Sequence, residues 1–491
     1  MFRSRSLKIL VLALALLAAM GAVPASAEVF IPSTTNDSPD GSCNLDCSLR
    51  DAITEANQSP GFDAIVLGPG TYHLGTFGPS DDQNASGDLD VLDDLAIIGA
   101  SAEKTFIEGS TERVFDVQAG ATVEIAGVTI RNGKTQVLTG NGAGIRNAGQ
   151  LTLSHVHVTG NNAAGGAGGG IFSSGASSSL TVVKSAISGN TAATLGGGIA
   201  LDGPLTLTDS TISGNSAGSV GGGIYAFDNS DAQIVNATIT GNQAGGQAGG
   251  LYAETTPFQT TDRPALRDTI LAGNTAPVDR DCGGAPVSEG HNILGVGGAC
   301  IDFTTPKGDL VGTAATPRDP KLGPLANNGG TTPTHALLAG SPAQGAAANC
   351  TVTDQRGVDR QAGTCDIGAF EFTPLCVTGG PTLCLNSDRF KVTASFKTTA
   401  GGQTSSAQAV KLTPDTGYFW FFNQENVEIT IKVLNACGAN NRYWVFASGM
   451  TNVEVTLTVT DTANGQTKTY TNPLRRNFAP ILDTGAFATC P

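Results

Sequence analysis

The sequence predicts an all-β protein in two parts, a parallel β-helix followed by an antiparallel β-sandwich. Two observations support this prediction. A unit of about 25 to 28 residues recurs through the middle of the chain, a period typical of solenoids. Near Cys376 the repeat stops, and short segments with alternating apolar and polar residues replace it. Glycine supplies 65 of the 491 residues, as expected for strands joined by tight bends.

Each repeat has glycines, an aliphatic residue, a loop, a short strand and a final Gly-Asn. The aliphatic residue recurs at Ile145, Ile171, Ile199, Ile224 and Leu251. The second halves of four repeats align without gaps, at residues 152–161, 181–190, 206–215 and 233–242. If repeats stack as coils, these aliphatic columns fill the interior and each strand pairs with its counterpart one coil away, at about 4.8 Å.

An asparagine ends every repeat. We expect these residues to adopt the left-handed conformation of a bend and to join their amides in a ladder along the stack. The expected ladder contains Asn161, Asn190, Asn215, Asn242 and Asn274.

The chain begins with features of an exported protein. Arg3, Arg5 and Lys8 precede an apolar run, and Ala25–Ala27 fits a signal-peptidase site. Residues 48–57 then predict a short amphipathic helix, with Ser48 and Asp51 as a capping pair. We therefore expect four regions: a signal peptide (1–27), an N-terminal cap (28–62), a β-helix with a closing segment (63–372) and a sandwich (373–491).

Ten cysteines in an exported chain indicate disulfides. Proximity favours three local pairs, Cys43 with Cys47, Cys282 with Cys300, and Cys350 with Cys365. The pairing of the last four cysteines stays open, namely Cys376, Cys384, Cys437 and Cys490.

Two motifs resemble a family of exported bacterial proteins. Residues 47–53 (CSLRDAI) resemble the N-terminal CSLREA motif, with Asp51 in place of Glu. Residues 323–343, with 353–357 and 365–371, resemble the C-terminal part of choice-of-anchor Q proteins. The resemblance implies a right-handed parallel β-helix of the pectin lyase-like shape on a secreted or surface protein, and it implies no defined reaction. It also implies structural roles for Asp354, Arg356 and Asp366.

The last region carries both tryptophans. Alternation over residues 427–433 and 453–459 predicts half-buried antiparallel strands, and Asn464-Gly465 predicts a hairpin turn. The aromatic run at 417–422 must place some rings in the core and others on the surface. Tyr418, Trp420 and Trp444 are therefore candidates for stacking on sugar rings, with core packing as the alternative.

Catalytic candidates are few. Three residues before the repeat's isoleucine, successive coils present His155, Lys184, Asp209, Asn236 and Arg267. Lys184 beside Asp209 is the one arrangement resembling an acid/base pair, and a cross-strand ion pair is the competing interpretation. The acidic run between Asp81 and Asp94 matches no calcium-loop spacing, so we expect no metal and no cofactor.

The net charge of −15 argues against nucleic acid as a partner, because phosphate binding needs clustered lysine and arginine. We expect an exported adhesion or binding protein whose partner is a cell-surface or matrix polysaccharide, and we expect catalysis to be absent. The alternative is a carbohydrate-active enzyme, a polysaccharide lyase or glycosidase, on the same coil.

Overall fold

The computed structural model describes residues 27–75, 83–135, 140–228, 230–254, 263–338, 340–360, 363–372, 376, 378–386, 388–399, 402–462 and 466–490. Residues 1–26 of the predicted signal peptide and the Asn464-Gly465 turn lie outside these residues, and both stay predictions. The chain divides into two compact units, Met1–Phe372 and Thr373–Pro491. Within the described residues, neither helix has the length and hydropathy that crossing a bilayer requires.

The first unit is a parallel β-solenoid built from four sheets, and the predicted fold class is confirmed. Sheet A contains Val29–Phe30, Asp63–Val66, Leu95–Ile98, Thr122–Ala126, Gln150–Ser154, Ser179–Val183, Leu205–Thr208, Ala232–Val235, Ala265–Arg267 and Val287–Gly290. Sheet B contains Gly70–His73, Thr105–Glu108, Thr129–Arg131, His157–Thr159, Ala186–Ser188, Thr211–Ser213, Thr238–Thr240, Ile270–Leu271, Ile293–Leu294 and Leu310–Val311. Sheet C contains Leu89–Val91, Phe115–Val117, Ile145–Asn147, Ile171–Ser174, Ile199–Asp202, Ile224–Ala226, Leu251–Ala253 and Cys282–Gly284. The short sheet D contains Lys134–Thr135, Asn162–Ala163, Thr191–Ala192, Ser216–Ala217 and Gln243–Ala244.

The register of sheet C confirms the stacking predicted from the repeat. Each aliphatic residue that follows the glycines pairs with the same position one coil away, through Ile145, Ile171, Ile199, Ile224 and Leu251. All five side chains are fully buried and belong to one continuous core. Burial of such aliphatic side chains stabilises a fold by about 1.5–3 kcal/mol each, so these columns hold the solenoid together.

The asparagine ladder forms as expected. The Nδ2 of Asn161 donates to Oδ1 of Asn190 at 2.9 Å, and the same bond repeats from Asn190 to Asn215, Asn242 and Asn274. Each Oδ1 also accepts the backbone N–H of the preceding asparagine at 3.0 Å. The expected conformation was wrong, because the preceding glycine takes the left-handed bend, as at Gly189 with φ of +64°.

The bend between sheets A and B uses non-glycine residues in the left-handed conformation. His155, Lys184, Asp209 and Asn236 stack there with φ between +45° and +55°. The fifth member of this column is Asp268, and the expectation of Arg267 was wrong by one residue. The expectation aligned Ile270 with Ile239, but the strand register pairs Ile239 with Leu271. Every position of this coil is therefore one residue later in the sequence than expected.

A helix covers the N-terminal end of the solenoid. Helix α1, Leu49–Ala56, begins with the predicted capping box, in which Ser48 accepts from the Asp51 N–H and Asp51 accepts from the Ser48 N–H. Its apolar residues Leu49, Ala52 and Ile53 join the solenoid core. Arg50 is also fully buried, and it forms an ion pair with Asp37 at 2.9 Å.

The last part of the first unit folds back over the solenoid. A 3₁₀ turn, Thr305–Lys307, leads to two antiparallel strands, Leu322–Ala326 and Thr334–Leu337. The described residues between 322 and 372, here called the covering segment, lie on the outer face of sheet B. Ile270 and Ile293 of sheet B share a second hydrophobic cluster with Leu337, Ile367 and Phe370 of the covering segment.

The second unit is an antiparallel sandwich, as predicted. Sheet E contains Thr382–Leu385, Phe390–Lys397, Ser405–Ser406, Glu454–Asp461 and Gln466–Asn472. Sheet F contains Gln408–Lys411, Thr416–Trp420, Ile429–Ala436, Arg442–Gly449 and Ile481–Phe487, with the short helix α2, Cys437–Asn440. The inner faces of both sheets form one core that includes Leu457 and Phe419.

Five disulfides form. The three local pairs expected from proximity are present, and the last four cysteines pair as Cys376 with Cys384 and Cys437 with Cys490.

We predict that Asn215→Ala destabilises the first unit by about 2–6 kcal/mol, since it leaves two buried donors of Asn190 without their acceptor. Calorimetry of the full mature chain measures the change, because both tryptophans lie in the second unit and do not report on the first. Thr206→Ala, an exposed position on the same coil, is the control and should change stability little. Equal effects of the two substitutions would argue against the ladder.

Candidate functional site

The two catalytic candidates of the solenoid lie beneath the covering segment. Lys184 donates from Nζ to Oγ1 of Thr353 at 2.5 Å. Asp209 is 2% exposed, and its Oδ1 accepts from the Thr351 hydroxyl at 2.8 Å. Both side chains are therefore engaged by residues of the same chain.

A buried arginine completes the surroundings of Asp209. Arg360 Nη2 lies 2.9 Å from Asp209 Oδ1, and its Nη1 lies 3.3 Å from Glu371 Oε2. Burial raises the pKa of Asp209, while the charge of Arg360 acts in the opposite direction. This ion triad attaches the covering segment to the coil, and a polymer has no access to it.

Residues of the C-terminal motif hold the covering segment in shape. Arg356 bonds Asp354 through Nε at 2.8 Å, and its guanidinium lies 3.5 Å from the centre of the Phe370 ring. Asp366 accepts backbone N–H groups of Gly345 and Phe372. Burial raises the pKa of Asp366 to about 6.

Part of the acidic run joins a carboxylate that the sequence did not single out. Oxygen atoms of Asp88, Asp90 and Asp116 lie within 4.8 Å of one another, and all three residues are buried. Arg113 lies 3.0 Å from Asp116 and 3.3 Å from Asp88, and Arg146 also contacts Asp116. Burial raises the pKa of Asp116. Two guanidinium groups thus already offset much of the negative charge that a cation would neutralise.

The register explains why this cluster was missed. Asp90, Asp116 and Arg146 occupy the same position in three successive strands of sheet C. The coils that contribute Asp90 and Asp116 precede the regular repeat, so their alignment is not visible in the sequence.

An aromatic column continues along the same face of sheet C. Phe172, Tyr225 and Tyr252 each follow the aligned aliphatic residue of their repeat. The rings of Tyr225 and Tyr252 stack at 5.4 Å with an angle of 14°. Because their faces cover one another, these rings offer little flat surface to a ligand, and the column stabilises the coil.

The aromatic candidates of the second unit share one surface. Tyr418 and Trp420 point away from the core on strand Thr416–Trp420, while Phe419 between them is fully buried. Trp444 and Phe446 point the same way from strand Arg442–Gly449. We call this surface, the outer face of sheet F, the aromatic face.

Polar groups lie between the two sets of rings on the aromatic face, Tyr418 with Trp420 and Trp444 with Phe446. Tyr418 pairs with Thr430, and Lys432 pairs with Phe446, so the strand between them contributes a hydroxyl and an ammonium group. A shallow cavity of about 240 Å³ lies among Lys432, Phe446 and Leu482. The indole N–H of Trp444 donates to Asn440 at 2.9 Å, which fixes that ring.

Comparison with known proteins agrees with the solenoid. Residues 101–260 match a family model described as a right-handed beta helix region. The expected handedness is therefore supported across the regular repeats. No curated protein and no solved structure matches the chain.

We predict that Arg360→Met destabilises the first unit by about 3–5 kcal/mol at pH 7, because it leaves Asp209 and Glu371 buried without their cation. The folded-state pKa of Asp209 is already raised and rises further in the variant. The loss in free energy of unfolding caused by the ionised Asp209 is therefore largest at neutral pH. It shrinks as the pH falls through the pKa of Asp209, because the carboxylate then becomes protonated.

Urea unfolding at pH 4 and pH 7 tests this pH dependence. Exposed Arg318 supplies the matched control, Arg318→Met, for which we expect little change. A loss of stability that is the same at both pH values would rule out the buried ion triad.

Proposed function

We propose that this is an exported, non-catalytic β-helix protein that binds polysaccharide of a cell surface or matrix through its aromatic face. The observation that carries the proposal is the position of Tyr418, Trp420 and Trp444 on one side of sheet F. Phe419, Tyr443 and Val445, from the same strands, already fill the core. The outward rings are therefore not required for packing of the sandwich.

The chemistry of the aromatic face suits a sugar chain. Aromatic rings pack on the apolar faces of sugar rings, and hydroxyl and ammonium groups bind the sugar hydroxyls. The two strands that carry the rings are separated by one strand, which places them about 10 Å apart. The register also offsets the two pairs of rings along the strands, since Tyr418 lies opposite Thr430 and Phe446 opposite Lys432. A sugar chain lying diagonally across the sheet would contact both pairs and pass over Thr430 and Lys432.

Two features support a role without catalysis. The solenoid's Lys184 and Asp209 are bonded to Thr353 and Arg360 of the covering segment. The carboxylates of Asp88, Asp90 and Asp116 are buried. A glycosidase needs two carboxyl groups placed on either side of the sugar bond, and none of these groups is available to a polymer.

The five disulfides support export, because such bonds persist in oxidising compartments. We further propose membership of the choice-of-anchor Q and CSLREA type of surface protein. In support, the CSLREA-like residues 47–53 form the helical cap. The choice-of-anchor-like residues form the covering segment, whose Asp354, Arg356 and Asp366 have structural contacts.

A carbohydrate-active enzyme is the second candidate. Asp88, Asp90 and Asp116 with Arg113 and Arg146 supply the residue types that a calcium-dependent lyase requires. Asp209→Asn with Lys184→Ala tests the other catalytic arrangement and should leave polysaccharide binding intact. The enzyme would be supported, and the binding function overturned, if the wild-type protein cleaves a polysaccharide and either Asp116→Asn or this double substitution abolishes that cleavage.

We predict that Trp420→Ala and Trp444→Ala each weaken polysaccharide binding about tenfold or more, through loss of ring stacking. A glycan array with the mature protein identifies the polymer, and calorimetric titration then measures the affinities. Phe422→Ala removes an exposed ring that packs on Phe396 and is the matched aromatic control. Binding that survives both tryptophan substitutions would contradict the proposed site.

A further inference from the structure

The short helix α2 lies beside one of the rings of the aromatic face. It is a single turn, Cys437–Asn440. The amide of Asn440 bonds on two sides: its Oδ1 accepts the indole N–H of Trp444 at 2.9 Å, and its Nδ2 donates to the backbone oxygen of Thr484 at 3.1 Å. This amide therefore connects the Trp444 ring to strand Ile481–Phe487 at the edge of sheet F.

The turn that carries Asn440 depends on contacts with the rest of the sandwich. A helix of four residues has too few internal hydrogen bonds to offset the cost of ordering it, and none of its residues is buried. The Asn435 side chain accepts the Cys437 N–H at 3.1 Å. A disulfide joins Cys437 to Cys490, just beyond strand Ile481–Phe487. Both ends of the Asn440 contact, the turn and the edge strand, are thus tied together covalently.

Exposure distinguishes this disulfide from the other four. All ten cysteines lie in the described part of the chain, and Cys437 and Cys490 are both partly exposed. Each other pair contains at least one buried cysteine, namely Cys47, Cys282 with Cys300, Cys365, and Cys376 with Cys384. Because the rate of thiol–disulfide exchange depends on access to a sulfur atom, the bond between Cys437 and Cys490 is the one that a reductant reaches most easily.

We propose that Asn440 is a positioning residue for the sugar-binding ring of Trp444, and that the disulfide between Cys437 and Cys490 makes this positioning dependent on redox state. The inference rests on the proposed function, because it concerns the affinity of the aromatic face for polysaccharide. While the disulfide is intact, the indole is ordered before the sugar binds, so binding costs less side-chain freedom.

The chemical step is a thiol–disulfide exchange with a dithiol reductant. The dithiol supplies two electrons and two protons, the bond between the two sulfur atoms breaks, Cys437 and Cys490 become thiols, and the reductant becomes a disulfide. Helix α2 then loses its covalent tie, and Asn440 no longer holds the indole in one orientation. Reduction would therefore weaken sugar binding without touching any residue that contacts the sugar.

The two tryptophans allow a spectroscopic test without any sugar. Labelling the tryptophans of the full mature chain with ¹⁵N gives two indole N–H signals, which Trp420→Phe and Trp444→Phe assign. Asn440→Ala should shift the Trp444 signal, since its hydrogen bond is lost, and leave the Trp420 signal in place. Asn440→Asp keeps an acceptor oxygen and should retain a Trp444 signal near that of the wild type. Exposed Asn452 supplies the matched control, Asn452→Ala, which should change neither signal.

Calorimetric titration with the polymer identified on the glycan array tests the consequence for binding. Asn440→Ala should weaken the affinity about twofold to tenfold, the effect of one aromatic side chain that must be ordered on binding. Asn440→Asp and Asn452→Ala should bind nearly as the wild type does.

Mild reduction tests the disulfide. Treatment with a low concentration of dithiothreitol, followed by alkylation and peptide mapping, should modify Cys437 and Cys490 before any other pair. The reduced protein should show the same change in the Trp444 signal and in affinity as Asn440→Ala. Cys437→Ser with Cys490→Ser should behave in the same way without a reductant. Loss of the Trp420 signal as well would show that the disulfide maintains the whole sandwich, and would overturn the redox dependence.

Three further results would overturn the inference: a Trp444 signal insensitive to Asn440→Ala, wild-type affinity of Asn440→Ala, or wild-type affinity after reduction of the disulfide. Failure of the proposed function looks different, because polymer binding would then be absent or would survive Trp444→Ala. The inference would fall with it, although the Trp444 signal would still respond to Asn440→Ala.

Discussion

The whole first unit depends on the register of each coil on the next. Parallel strands in this arrangement bring identical positions into contact, so a side chain suited to one coil must suit its copies above and below. Aliphatic residues meet this requirement on the inner faces of sheets A, B and C, because similar apolar side chains pack well on one another. Asparagine meets the same requirement at the bend. An amide is both donor and acceptor, and each rung can therefore bond both neighbours.

The same constraint determines how the ladder ends. Asn274 donates to the carboxylate of Asp281 at 3.0 Å, and in a parallel series Asn292 donates to Asp309 at 3.0 Å. A carboxylate accepts hydrogen bonds and has no N–H to pass to a further rung. These aspartates terminate the two series near the C-terminal end, while helix α1 covers the N-terminal end.

Much of this architecture could be predicted from the sequence because it is periodic. The aliphatic columns, the ladder and the capping box of α1 depend on spacings that recur or on residues three apart. Where an insertion shifts the repeat, the prediction is wrong by one residue. Asp268, and not Arg267, occupies the expected position in the bend. The left-handed bend was assigned to asparagine, although the glycine before it in every repeat takes that conformation at lower steric cost.

The candidate sites were harder to predict, for a different physical reason. Arg360 meets Asp209 across 151 residues, and no spacing in the sequence records that contact. Asp116 and its partner Arg113 likewise come from a coil that precedes the regular repeat. The aromatic face was easier, because strict alternation along strand Thr416–Trp420 separates Phe419 from Tyr418 and Trp420. Local periodicity therefore reveals which side chains point outward, and folding back of the chain decides which of them stay accessible.

Engineered cysteine pairs test the stacking of coils most directly. Thr206 pairs with exposed Gln233 one coil away, and Thr181 lies one coil further on the other side. The ten native cysteines are already paired, so new bonds can be counted by mass spectrometry. Thr206→Cys with Gln233→Cys should form a disulfide, since neighbouring strands are about 4.8 Å apart. Thr181→Cys with Gln233→Cys, about twice as far apart, should not. Equal yields from the two pairs, or a bond only in the second, would contradict the stacked solenoid.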